Sequence, residues 1–212
     1  MSEIRADFLA AARVAADLLH NDAVAAAWTE PSALPKFSVG GLAGHLAFQI
    51  LAIPRILAQP VPSEPVIPLL EHYQRVAWVN AGIDDQINVS IRAGGEQEAA
   101  EGPAELAAQV DSMLDRLSDG LAAEPNRPVR IAFWGPWSLT LDDMLLARTM
   151  ELVVHSDDLA VSVGSAPPEF PSGPFEGVID LLSRLAVVRH GQAAVVRALS
   201  RRERAPDTIV AF

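Results

Sequence analysis

The chain of 212 residues contains no cysteine. This absence excludes disulfides, thiolate metal sites, iron–sulfur clusters and a cysteine nucleophile, so any thiol chemistry needs a thiol supplied from outside the protein. Basic residues are also scarce, since 16 lysines and arginines stand against 27 acidic residues and leave a net charge of −11. Such a charge repels phosphate backbones and anionic lipids, so we expect neither a nucleic acid nor a membrane as a partner.

A long uninterrupted apolar run is also missing. The longest apolar stretch covers residues 42–58. Polar or helix-breaking residues interrupt it at His45, Pro54 and Arg55, so it is not typical of a membrane span. The first residues lack the pattern of a signal peptide, and we therefore expect a cytoplasmic protein. Half of the residues are apolar and a fifth are charged, which is enough for a hydrophobic core and excludes a disordered chain.

Helical periodicity dominates the sequence, and Ser38 and Thr140 are typical N-cap residues for two of the expected helices. We expect helices at about residues 4–19, 38–58, 69–80, 103–117, 140–163 and 175–201. Three other segments are expected to be a long loop (84–102), a short strand or extended arm (128–136) and a further short strand (208–212). The predicted fold is therefore mostly α: an antiparallel four-helix bundle with an additional C-terminal helix and short extended segments. We expect residues 1–165 to form the bundle and residues 166–212 a C-terminal helical extension.

The helix capped by Thr140 carries four residues that could perform chemistry. Arg148, Glu151, His155 and Asp158 follow one another at spacings of three, four and three, which places them on one face of the helix. A glutamate and a histidine four residues apart can bind one metal ion, and both suit Zn²⁺ and similar divalent ions. The alternative is a solvated face with salt bridges. Because the helix is strongly apolar, any charges buried on it need a partner, and a metal is one such partner.

His45 lies in the otherwise apolar helix 38–58. A single histidine on an apolar face is usually a hydrogen-bonded core residue, but it is also the ligand that a facing helix of a bundle could supply. Three protein ligands leave a coordination position open, which is typical of a catalytic site. His45 and Glu151 are 106 residues apart, so the sequence alone does not establish that they meet.

Four further side chains have two interpretations each. Arg148 either binds a substrate carboxylate or orients Glu151, or it forms an intrahelical salt bridge. Asp158 either accepts a hydrogen bond from a metal ligand or is exposed. Trp134 and Trp137 precede the helix, and they either line a pocket that binds a cofactor or pack in the core.

Two motifs resemble those of a known family. The stretch FSVGGLAGHL, residues 37–46, resembles the first motif of the mycothiol-dependent maleylpyruvate isomerase family, which belongs to the DinB-like superfamily. The stretch RTMELVVHSDDL, residues 148–159, resembles its second motif. The resemblance implies a DinB-like four-helix bundle with a divalent metal, usually zinc, held by His45, Glu151 and His155. The isomerase itself has a larger C-terminal domain, so whether this chain acts on the same substrate stays an open question.

The resemblance implies an enzyme that uses a metal and a small thiol. We expect a metal-dependent S-transferase or cis–trans isomerase that uses mycothiol or another low-molecular-weight thiol on a small electrophile, since metal coordination deprotonates a thiol. A non-catalytic metal-binding DinB-like protein, an Fe(II) protein for oxygen chemistry and a structural protein without metal are the alternatives. The expected partners are the thiol and the electrophile, and a homodimer stays open.

Overall fold

The structure is a computed structural model that describes residues 2–212, except for the side chain of Ala132. The α-helices are α1 Glu3–Leu19, α2 Asp22–Ala26, α3 Val39–Leu57, α4 Leu69–Arg75, α5 Gln86–Glu98, α6 Pro103–Gly120, α7 Leu141–Ser162, α8 Ser172–His190 and α9 Gln192–Ser200. Two short strands, β1 Pro128–Val129 and β2 Leu139–Thr140, pair antiparallel. This architecture confirms the predicted mostly α helical bundle with short extended segments.

The core lies between α1, α3, α6 and α7, which pack against one another. Each of these helices contributes apolar side chains that are fully buried, among them Phe8, Leu46, Val110 and Leu145. Burying a side chain of this kind stabilises the folded state by roughly 1.5–3 kcal/mol. Helix α8 packs against α1 and α7 on the outside of this core. The division of the chain at residue 165 stays a prediction.

Both predicted N-caps are confirmed. Ser38 Oγ accepts a hydrogen bond from the backbone N–H of Gly41 at 2.8 Å, and Thr140 Oγ1 accepts one from that of Asp143 at 3.1 Å. These bonds satisfy donors that a helix start leaves unpaired. The two helices that they begin, α3 and α7, are the ones that carry the candidate metal ligands.

Helix α3 is the most apolar element of the bundle. Its 19 residues are long and apolar enough to cross a membrane, with a mean hydropathy of 1.3, but 78% of that window is buried inside the fold. Burial of this extent is the pattern of a core helix in a globular bundle, because the apolar surface already has protein partners.

The prediction of a loop at residues 84–102 is wrong, because helix α5 covers Gln86–Glu98. Helix α5 packs closely on α3 at glycines of both helices. A Cβ atom on Gly44 would lie 2.1 Å from the carbonyl oxygen of Gly95, so the two backbones are in direct contact. The polar composition and the two adjacent glycines of this segment favour a loop locally, and the tertiary contact with α3 overrides that preference.

Two hydrogen bonds at the C-terminal end of α5 reinforce its contact with α3. Near the start of α3, Ser38 Oγ donates to Glu96 Oε1 at 2.7 Å. Near the end of α3, Arg55 Nη1 donates to Glu98 Oε1 at 2.8 Å. These hydrogen bonds hold α5 against both ends of α3. Helix α5 therefore lies beside His45 and forms part of the wall next to it.

Four other segments differ from the sequence prediction. The single C-terminal helix is broken at Gly191, whose φ of +82° belongs to the left-handed region that glycine tolerates. The expected strand at 208–212 is not formed, and Phe212 instead packs against Tyr73 and Trp78 with ring centroids 5.5 and 5.2 Å away. The helix predicted for 69–80 ends at Arg75 and continues as a 3-10 turn. The extended arm at 128–136 is reduced to β1 and a second 3-10 turn.

Candidate metal centre

Three predicted side chains meet between α3 and α7. His45, Glu151 and His155 each offer one ligand atom, and these atoms all lie within 4.8 Å of one another. Glu151 Oε2 is 3.1 Å from His155 Nε2 and 3.6 Å from His45 Nε2. The two imidazole rings are arranged edge to face with centroids 4.8 Å apart. The arrangement brings residues that are distant in the sequence into one cluster.

Local packing explains why the three side chains converge. Glu151 and His155 are one turn apart on α7, whose neighbouring residues Leu152 and Leu159 are fully buried. His45 lies between the buried residues of α3, and Gly44 beside it leaves room for α5. The contact between α3 and α7 then places the imidazole of one helix against the carboxylate and the imidazole of the other.

The electrostatics of the cluster are those of a site that attracts a cation. Burial acts to raise the pKa of Glu151, but hydrogen bonds from His155 and His45 hold it well below its usual range. Burial acts to lower the pKa of His155, but the carboxylates of Asp158 and Glu151 raise it to about 9. Burial lowers the pKa of His45, and Glu151 offsets only part of this effect. The cluster therefore contains a carboxylate that stays ionised and is neutralised by a proton on an imidazole.

Two residues make hydrogen bonds beside the cluster. Asp158 Oδ2 lies 2.9 Å from His155 Nδ1, so this carboxylate holds the ring from its other side. Gln49 is fully buried one turn after His45, and its Nε2 donates to the His45 carbonyl oxygen at 2.8 Å. Gln49 Oε1 accepts a hydrogen bond from Arg148 Nη1 and so links α3 to α7. A carboxylate such as Asp158 fixes the ring orientation of a metal-binding histidine.

Arg148 is buried on the same face of α7, and only 7% of the residue is exposed. Its guanidinium lies over the ring of Trp134, 5.2 Å from the centroid, and forms no ion pair within 4 Å in the described part of the chain. The intrahelical salt bridge considered from the sequence is therefore not formed. Its Nε atom has no hydrogen-bond partner among the described residues.

The donor set fits a divalent ion of the zinc type. Two imidazole nitrogens and a carboxylate oxygen are ligands that zinc accepts, and a tetrahedral ion with bonds of 2.0–2.1 Å separates neighbouring ligands by about 3.4 Å. The two separations from Glu151 Oε2, 3.1 and 3.6 Å, lie on either side of that value. A buried ionised carboxylate also needs a cationic partner, which a metal ion provides in place of the proton on His155.

A cavity of about 500 Å³ opens beside the cluster, and all three candidate ligands line it. Trp134 and Arg148 line the same cavity. Trp137 does not lie among the lining residues, because its ring is buried in the core and its Nε1 donates to His72 Nδ1 at 3.0 Å. Of the two tryptophans expected from the sequence to bind a cofactor, the structure places only Trp134 at the cavity.

Sequence reasoning missed Gln49 and the contribution of α5. A glutamine one turn after His45 in an otherwise apolar helix is a signal that could have indicated a buried polar partner. The glycines at 41, 44 and 95 could have indicated a close contact between two helices, since small residues let backbones approach. Helix α5 supplies Ile87, Asn88 and Ile91 to the cavity wall, which no local pattern predicts.

Comparison with known proteins identifies the family. No curated protein and no solved structure matches the chain. The family model described as the mycothiol maleylpyruvate isomerase N-terminal domain matches residues 9–160, which is more than half of the chain. The matched range contains all of α3 and most of α7, and with them the three clustered side chains. The chain therefore belongs to the mycothiol maleylpyruvate isomerase N-terminal domain family, and its bundle is DinB-like, as the two sequence motifs predicted.

Proposed function

We propose that this protein is a metal-dependent enzyme that uses a low-molecular-weight thiol, mycothiol, as an S-transferase or cis–trans isomerase acting on a small electrophile. The observation that carries the proposal is the convergence of His45, Glu151 and His155 at the wall of a cavity of about 500 Å³. The family match supports mycothiol as the thiol. The absence of cysteine is consistent with a thiol that comes from a cosubstrate.

The proposed ion is divalent, zinc in the first instance, and its ligands are His45, Glu151 and His155. With three protein ligands, such an ion keeps a position open and supplies a Lewis acid that lowers the pKa of a coordinated thiol. A free thiol has a pKa of about 8.5, so this assistance makes the nucleophilic thiolate available at neutral pH.

The surrounding residues have distinct proposed roles. Asp158 accepts a hydrogen bond from the Nδ1–H group of His155 and so orients the ring. Asp158 is therefore a positioning residue. Arg148 lines the cavity and is the cation placed to bind an oxygen of the electrophile where negative charge develops. Trp134 holds the guanidinium of Arg148 over its ring and contributes an apolar wall to the cavity.

Two reactions fit these roles. In a transferase, the thiolate sulfur forms a bond to an electrophilic carbon while the bond from that carbon to a leaving group or to an epoxide oxygen breaks, and the product keeps the thioether. In an isomerase, the sulfur adds to a cis double bond, the resulting single bond rotates, and elimination of the thiol restores a trans double bond. Both reactions need the same activated thiol and the same site for the oxygen of the electrophile.

The test combines metal analysis with turnover. The protein is loaded with zinc and assayed with mycothiol and a model electrophile, next to the variants His45→Ala and Glu151→Gln. We expect about one zinc per chain and thiol-dependent turnover in the wild type, with both lost in the variants. His20→Ala is the matched control, because His20 is exposed and pairs with Asp111 on the surface. Equal turnover in all four proteins refutes the proposal.

The alternatives give different results in the same experiment or in a metal analysis of protein purified without added metal. Bound zinc without thiol-dependent turnover indicates a non-catalytic metal-binding DinB-like protein. Iron bound in preference to zinc, in protein purified without added metal, indicates oxygen chemistry, since two histidines and one carboxylate also suit Fe(II).

A further inference from the structure

The walls of the cavity have a chemistry of their own, separate from that of the candidate ligands. The volume of about 500 Å³ lies in the range that receives drug-sized molecules. Large apolar side chains form most of the wall, namely Phe37, Phe48, Trp78, Ile87, Ile91 and Phe133. They come from α3, from α5 and from the segments before α3, α5 and α7, so the apolar lining surrounds the cavity on several sides.

Part of this apolar lining is exposed when no ligand is present. Phe133 is 53% exposed, and Ile87 and Ile91 on α5 are half-buried. Contact between these apolar side chains and water is unfavourable. A ligand that covers them gains roughly 25 cal/mol of binding free energy per Å² of apolar surface removed from water. The opening therefore favours apolar groups over hydrated ones.

The cavity has little positive charge to offer an anion. Apart from the two histidines, Arg148 is the only basic residue among the described lining residues, and its guanidinium already contacts Gln49 and Trp134. In the proposed zinc-loaded state, the charges of the divalent ion, of Glu151 and of the bound thiolate sum to zero, so they leave no net positive charge for an anion, and the whole chain has a net charge of −11. A ligand with two carboxylates would be repelled at long range and would leave at least one carboxylate unpaired among apolar side chains.

From this lining we infer that the electrophile is an uncharged molecule with an aryl or branched alkyl body, such as an aryl epoxide, and not a small dicarboxylate. The inference rests on the proposed thiol-dependent function and names the substrate class of that same cavity. For an epoxide, the thiolate sulfur bonds to a ring carbon, the carbon–oxygen bond breaks, and the oxygen takes up the proton that the thiol lost. No leaving group and no redox partner is needed.

A binding experiment tests the inference without turnover. The full-length zinc-loaded protein, saturated with mycothiol, is titrated calorimetrically with 2-acetylnaphthalene and with 6-acetyl-2-naphthoate, which differ by one carboxylate. We expect the neutral ligand to bind at least about tenfold more tightly, because the acetyl oxygen that both ligands share occupies Arg148 and the carboxylate is then left unpaired in an apolar site. Equal binding, or tighter binding of the carboxylate, overturns the inference.

Variants of α5 show whether the cavity wall causes the preference. Ile91→Arg adds a cation to the wall and should reduce the ratio of the two affinities by about tenfold, since a charged pair then compensates the carboxylate. Val89→Arg is the matched control, because Val89 is 39% exposed on the same helix and does not line the cavity. An unchanged ratio in a folded Ile91→Arg protein overturns the inference.

Phe133→Ala is a second variant that keeps the test decisive if Ile91→Arg does not fold. Its side chain is 53% exposed, so its removal should leave stability nearly unchanged. We expect both ligands to bind about three- to tenfold more weakly, because the lost contact is to the apolar body that they share. Unchanged binding of the neutral ligand overturns the inference.

Turnover separates this inference from the proposed function. Mycothiol conjugation of styrene oxide is compared with that of 4-carboxystyrene oxide. Faster conjugation of the neutral epoxide supports both proposals. Equal or faster conjugation of the carboxylated epoxide supports the thiol-dependent function and overturns the substrate class. Preferential binding of the neutral ligand without conjugation of either epoxide supports the preference of the cavity for uncharged molecules and overturns the proposed thiol-dependent function.

Discussion

Asp158 Oδ2 lies 2.9 Å from His155 Nδ1, one helical turn later on α7. The carboxylate fixes the proton of the ring on Nδ1 and leaves Nε2 facing Glu151, 3.1 Å away. A carboxylate that supports a histidine in this way orients the ring and makes it a better metal ligand. The candidate site therefore extends one turn beyond the residues that would touch an ion.

Replacement of Asp158 by asparagine should weaken metal binding. We expect zinc affinity to fall by about 10–100-fold in Asp158→Asn, because the ring loses its orienting carboxylate while all three ligands remain. Competition with a chromogenic chelator measures the change. Asp157→Asn is the matched control, since Asp157 is exposed next to it and should bind zinc like the wild type. Equal zinc affinities of the two variants would show that Asp158 does not support metal binding.

Gln49 and Arg148 should depend on each other for stability. Gln49→Leu leaves a buried guanidinium nitrogen of Arg148 without its partner, which should cost about 1–3 kcal/mol of unfolding free energy. Arg148→Met in that background should cost less than in the wild type, with a coupling energy of at least about 0.5 kcal/mol. Urea unfolding of the two single variants and the double variant measures this cycle. Additive effects would contradict the contact between α3 and α7 at this point.

The close contact between α3 and α5 predicts opposite effects for two glycines. Gly44→Ala places a Cβ atom 2.1 Å from the carbonyl oxygen of Gly95, so the helices must separate, at a cost of about 1–3 kcal/mol. Gly94→Ala meets no described atom within 4 Å and should stabilise α5 by roughly 0.5–1 kcal/mol through helix propensity. Urea unfolding measures both changes. A neutral Gly44→Ala variant would mean that α5 does not pack on α3 in solution.

The buried imidazole of His72 predicts a loss of stability in mild acid. Burial lowers the pKa of His72 from 6.5 to about 4, and its Nδ1 accepts a hydrogen bond from Trp137. Between these two pH values the unfolded chain binds a proton that the folded protein does not bind. Stability therefore rises with pH across this window, by up to about 1.4 kcal/mol per pH unit, and is fully present above the unfolded pKa.

His72→Asn keeps a hydrogen-bond acceptor but cannot titrate. It should be less stable than the wild type at every pH because the smaller side chain leaves a gap, so the comparison is between slopes and not between absolute values. We expect a shallower decline of unfolding free energy for His72→Asn than for the wild type between pH 6.5 and about 4. Parallel profiles would show that His72 does not contribute.

The main helices could be predicted from the sequence because their signals are local. Apolar periodicity places α1, α3, α6 and α7 nearly at their observed bounds, and the hydroxyls of Ser38 and Thr140 indicate where α3 and α7 begin. The positions of Glu151 and His155 on one face of α7 also follow from their spacing, since residues four apart are neighbours on any helix.

Helix α5 and the break at Gly191 could not be predicted in the same way. Helix α5 is polar and rich in glycine, and its packing depends on α3, whose glycines lie some 50 residues earlier. Gly191 interrupts a segment that is otherwise favourable for a helix, and its positive φ separates α8 from α9. Local preference does not decide either case, because tertiary contacts or a single backbone angle outweigh it.

The sequence by itself determined the helical fold class, the caps of α3 and α7, the family, and the pairing of a carboxylate with an imidazole on one face of α7. Only the tertiary structure decided that His45 lies 3.6 Å from Glu151 and that an apolar cavity opens beside them. The physical reason is the range of the interactions. Caps and helical spacing act over three or four residues, whereas the contact of α3 with α7 and α5 depends on how their surfaces fit across the whole core.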